Sequence, residues 1–105
     1  MWTAEFGSST GMFGGGVAVF LDGRILGGDG DYYYIGEYSL HGNSFQATVR
    51  VFPFIEGAES VFKTVGRDLT LELQGSLTDE THATAQGQPR EMPHLKFGVK
   101  LTKRA

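Results

Sequence analysis

The sequence predicts an all-β fold: a small antiparallel up-and-down β-barrel of about eight strands, with residues 1–105 forming a single domain. Three observations predict it. Short segments alternate apolar and polar residues with the period of two that belongs to half-buried strands. Turn signals separate these segments at intervals of about 8–12 residues. The links are short enough for hairpins, so strands adjacent in sequence pair in space, and a run of such pairs closes most simply into a barrel without exposed edges. No helical period of useful length interrupts, which excludes a parallel α/β sheet.

The elements follow in order. In "WTAEF", Trp2, Ala4 and Phe6 share one face, and Thr3 and Glu5 the other. "GSSTGMFGGG" reads as turn chemistry, permissive of positive φ. "VAVFLDGRIL" reads as a hairpin about Asp22-Gly23, and "GGDGD" as the next corner. "YYYIGEYSL" is rich in strand formers, with Tyr32, Tyr34, Gly36 and Tyr38 on one face, and Gly42-Asn43 turns the chain again. "FQATVRVF" alternates most cleanly, with Phe45, Ala47, Val49 and Val51 inward, and Pro53 ends it. "FIEGAESVFKTVG" is irregular: a loop, or one helical turn through Val61, Phe62 and Val65. Leu69, Leu71 and Leu73, then Ala83 and Ala85, then Leu95, Phe97, Val99 and Leu101 mark the inward faces of the last strands.

Composition bounds the function. The net charge is −3, from 12 acidic and 9 basic residues. Residues 1–48 hold five acids against Arg24 alone, whereas residues 49–105 hold seven acids against eight bases. No basic stripe suited to phosphates results, which argues against direct nucleic-acid binding. Lys96, Lys100 and Lys103 read as a charged strand edge that resists stray pairing. Cysteine is absent, which favours an intracellular location over a stapled secreted domain. No apolar run approaches the roughly 20 residues of a membrane span, and no signal peptide or membrane association is expected. Glycine is the outlier: 16 residues, 11 of them between positions 7 and 42, read as tight turns and strand kinks.

No constellation supports catalysis, a metal or a cofactor. "GMFGGGVAVF" runs into a strand where a phosphate cradle requires a helix N-terminus. "GGDGDYYYI" approaches a glycine–aspartate calcium turn, but Tyr32 holds the aspartate position, and only one copy is present. The corner then reads as structural, with Gly27 and Gly28 permitting the bend and Asp29 accepting hydrogen bonds from turn amides. His41, His82 and His94 are too dispersed for zinc. Asp29 and Asp31, at the tip of an exposed turn, lack the desolvation that acid–base work requires. The inward aromatic residues leave two readings. Trp2, Phe6, Tyr34, Tyr38, Phe45 and Phe97 line an apolar ligand pocket, or, with the leucines, they fill the barrel; filling is the expectation, as in many small barrels.

The stretch "GGGVAVFLDGRILGGDGDYYYIG", Gly14 to Gly36, resembles the GrlR family, small negative regulators of type III secretion. The matching features are Gly14-x-Gly16, the strand through Val17 and Val19, Ile25, Gly27-Gly28-Asp29, Tyr34 and Gly36. The resemblance implies a lipocalin-like barrel, a cytoplasmic homodimer and no catalysis. It further implies that the protein binds a transcriptional activator and keeps it from DNA. Tyr38, Leu40, His41, Gly42 and Asn43 then become the candidate partner-binding surface. The family carries an acidic run at that turn, which is missing here. The fold therefore carries over better than the target does. The alternative is a lipocalin-like binder of a small hydrophobic ligand.

Overall fold

The computed structural model describes residues 1–105. Alternation dictates eight strands: β1 (Trp2–Ser8), β2 (Phe13–Leu21), β3 (Arg24–Gly28), β4 (Tyr32–His41), β5 (Ser44–Pro53), β6 (Leu69–Leu77), β7 (His82–Pro89) and β8 (Phe97–Lys103). Each pairs antiparallel with its neighbour in sequence, and β8 returns to β1, so the sheet closes into a barrel in strict up-and-down order. Burial follows the pleat. On β5, Phe45, Ala47, Val49 and Val51 are buried, whereas Ser44, Gln46 and Arg50 are exposed. Closure satisfies the backbone groups an edge would expose: 52 of the 71 backbone–backbone hydrogen bonds lie within the strand ladders.

The barrel has two unlike ends. One carries the tight hairpins. Asp22 (φ 52°) and Gly23 (φ 78°) both adopt the left-handed conformation demanded by a mirror-image two-residue turn, as the Asp-Gly pair predicts. Gly42 (φ 62°) opens the turn between His41 and Ser44, which face each other across the hairpin. The other end carries the longer connections, of which residues 54–68 are the longest.

Four expectations need correction. Gly14, Gly15 and Gly16 belong to strand β2 rather than to a turn. Gly27 and Gly28 likewise lie in β3, without positive φ, so only Asp29 of that trio stands in the corner. Of the two readings of residues 54–68, the loop holds and the helical turn through Val61, Phe62 and Val65 does not; an isolated bridge between Glu59 and Val65 shapes the segment. Finally, β8 is not an edge, because it is paired on both sides; Lys100 instead faces Glu5 and Thr84 across the ladder.

The long connection folds back as a cap. Ala58 and Phe62 are buried, and the Phe62 ring packs against Phe97 at 5.7 Å. Its polar atoms are satisfied internally. The Ser60 and Thr64 hydroxyls bond each other at 2.7 Å, and Ser60 Oγ also accepts the Phe62 and Thr64 amides. Such pairing is what allows hydroxyls to be buried without penalty.

Candidate functional site

The interior is hollow. A cavity of about 360 Å³ runs beneath the cap, lined by 29 residues of which 22 are hydrophobic. A smaller cavity of about 180 Å³ lies toward the hairpin end, lined entirely by hydrophobic side chains, Trp2, Tyr38 and Leu77 among them. Phe20, Phe45 and Leu101 border both.

The hollow has a cause in the sequence. Many inward positions hold residues too small to reach the axis. Ala4, Ala18, Ala47, Ala83 and Ala85 are buried on the inner wall. Glycines on the inward register let large rings lie back against the wall. A Cβ at Gly14 would stand 2.6 Å from the Phe6 ring, and one at Gly75 would stand 2.4 Å from the Phe45 ring. These rings are pulled sideways onto the neighbouring strand, and the axis stays open. This is the packing of an aromatic over a cross-strand glycine.

The cavity is polar at one end only. Asp29 Oδ1 accepts the amides of Asp31 at 2.9 Å and Tyr32 at 2.8 Å. Its Oδ2 accepts the Tyr34 hydroxyl, which reaches up from the cavity wall. Asp29 is thus half-buried and bonded inward, not free on an exposed tip as the turn chemistry suggests. Burial, then the hydrogen bond to Asp29 and the charge of that carboxylate, push the Tyr34 phenol well above its ordinary value. Tyr32, buried beside it, donates to the Ala58 carbonyl of the cap at 3.1 Å. Its phenol is also raised, by burial first and then by the charges of Asp31, Asp29 and Glu59. The cap is held by two further donors, since Ser8 Oγ and Thr10 Oγ1 (2.6 Å) both reach the Val61 carbonyl.

The sequence-predicted aromatic residues are all found on the cavity walls. Phe6, Tyr34, Phe45 and Phe97 line the larger cavity; Trp2, Tyr38 and Phe45 line the smaller. Filling, the expected outcome, fails because the glycines and alanines opposite these rings supply too little volume. Pattern reading passed over Phe20, which sits between Trp2 (6.1 Å) and Tyr38 (5.4 Å), and the cap residues Ser60, Val61 and Phe62. Phe20 is recoverable from its parity with Ala18; the cap is not, because an irregular connection carries no period.

The candidate partner surface divides. His41, Gly42 and Asn43 are exposed at the hairpin end, Leu40 is exposed at the rim of the smaller cavity, and Tyr38 turns inward. The three histidines are exposed on separate elements, and no three histidine or carboxylate side chains converge as a metal site would require. A broader open hollow of about 860 Å³ is lined by β4–β7, the end of β1 and the start of β8, and Gln46, Gln74 and Gln86 face one another there across the ladder. Its two acids, Glu37 and Glu72, are bonded to Arg50 and Arg90. No protein-family model and no curated protein matches this chain.

Proposed function

We propose that this protein is a non-enzymatic binding barrel that encloses one small hydrophobic molecule beneath the 54–68 cap. The apolar cavity carries the reading. The space opens at its mouth, and covering its apolar wall with an apolar ligand is worth about 25 cal/mol for each Å² withdrawn from water. Water is a poor occupant, because a buried water needs two to four polar partners and this lining offers few. A volume of this size falls within the range of small-molecule pockets.

The experiment is titration of delipidated protein with the neutral fluorophore Nile red. Binding at one site, lost when Ala47 on the cavity wall is replaced by Trp, supports the reading. Absence of binding by a folded protein, or equal binding by Ala47→Trp, overturns it.

A second reading, regulation through protein contact as the GrlR resemblance implies, is favoured by the outside of β2–β4. Val19 faces Leu26 across the β2–β3 ladder, Leu26 faces Ile35, and Val17, Val19, Leu26 and Tyr33 are exposed. Contiguous exposed apolar surface of this kind marks contact sites. Sedimentation of the purified chain tests its use in a homodimer: Leu26→Lys should then yield a monomer.

A further inference from the structure

The cavity's mouth has a single sign of charge. Of the seven non-hydrophobic residues in the lining, three are glycines, one is Ser60, and the other three are Asp29, Asp31 and Glu59. No lysine, arginine or histidine lines the cavity, although the chain has 9 lysines and arginines. The carboxylates that meet a basic side chain are Glu37 with Arg50, Asp79 with His82 and Glu72 with Arg90, so none of the three mouth carboxylates is neutralised by the protein. Asp29 spends its oxygens on Tyr34 and two amides, but the carboxylates of Asp31 and Glu59 accept no hydrogen bond from the chain. The three belong to two facing segments, the β3–β4 corner and the cap, and their fields overlap at the Tyr32 hydroxyl. They ring the mouth without converging tightly enough to grip a metal ion.

Resting on the reading of the barrel as a ligand binder, we infer that the cavity selects a cationic amphiphile. The apolar body of that ligand lies among Phe6, Phe45, Val49 and Phe97, and its single ammonium or amidinium head lies between Asp31 and Glu59. An anionic head would meet three carboxylates and no counter-charge. A neutral head gains nothing from them. A cation completes two carboxylates that otherwise face only water, at the edge of the apolar wall that holds its tail. Selection by head group then follows from complementarity at the mouth, and capacity follows from the glycine- and alanine-walled interior.

Three probes with one tail test this: dodecylamine, dodecanol and dodecanoate, each titrated below its micellar concentration into delipidated full-length protein at pH 7. The amine should bind about tenfold more tightly than the alcohol, and the acid more weakly than both. In Asp31→Asn/Glu59→Gln, both exposed positions, the preference for the amine over the alcohol should vanish while affinity for the alcohol is unchanged. Equal affinities for the three probes in the native protein would overturn the inference and leave the hydrophobic-binder reading standing. A folded protein that takes up none of them would end both. Amine binding that persists in Ala47→Trp would place the amine on the acidic surface, and would also overturn the inference.

Discussion

Glycine has two distinct uses in this chain, and each makes substitution costly where it applies. At Gly23 and Gly42 the backbone itself is left-handed. At Gly27 the constraint is closeness: a Cβ there would lie 2.2 Å from the Val17 carbonyl oxygen and 2.9 Å from the Ala18 Cα on the paired strand. Gly27→Ala must push β2 and β3 apart, and should cost about 2 kcal/mol in urea unfolding. Gly30, three positions on, has nothing within 4 Å of its Cβ site and no positive φ, so Gly30→Ala should stay within about 0.5 kcal/mol of the parent. Tyr34 makes a second residue-scale prediction. Its phenol ionises less readily folded than unfolded, against an ordinary value of 10.0. Above that pH the unfolded chain releases the proton and the folded chain holds it. The stability owed to the Tyr34–Asp29 bond is therefore fully present below about pH 10 and is lost as pH rises beyond it. Urea midpoints measured from pH 8.5 to 11.5 should fall less steeply for Tyr34→Phe than for the parent.

At the scale of elements, the cap is the longest piece whose order does not come from a strand ladder. It stays down through buried Ala58 and Phe62, through its own Ser60–Thr64 bond, and through side chains reaching from the rim: Tyr32 to Ala58, and Ser8 and Thr10 to Val61. Removing the last two, in Ser8→Ala/Thr10→Val, deletes both acceptor contacts at Val61 while leaving the barrel ladders intact. The Phe62 and Thr64 amides, which bond Ser60 Oγ, should then exchange with solvent about tenfold faster, with β5 and β6 amides unchanged. Equal acceleration in the strands would mean that the cap opens only with the whole barrel. The strands themselves were legible residue by residue. Leu69, Leu71, Ala83, Ala85, Phe97 and Leu101 are buried as their parity requires, because a sheet with one wet face imposes period two on its sequence. The cap was not, because its order rests on contacts between segments more than fifty residues apart, such as Ser8 with Val61.

For the molecule as a whole, a hollow interior is a stability deficit. Packing density in ordinary cores leaves few voids larger than a water molecule. Ala47→Leu adds methylenes at a buried position on the cavity wall. It should raise thermal stability by about 1 kcal/mol while reducing uptake of an apolar probe, the opposite of an ordinary core substitution. Loss of stability with no change in probe uptake would mean that the space around Ala47 is already taken.

The sequence by itself determined the closed eight-stranded architecture, the strand faces, the Asp22-Gly23 hairpin and the capping role of Asp29, because each of these is a local consequence of period, turn chemistry or hydrogen-bonding capacity. Whether the barrel is full or hollow, and that an acid-rimmed mouth lies beneath a latched cap, were decided only in three dimensions. Volume is a sum over all inward side chains, and it depends on where the rings of Phe6 and Phe45 lie relative to Gly14 and Gly75, their partners on the neighbouring strands.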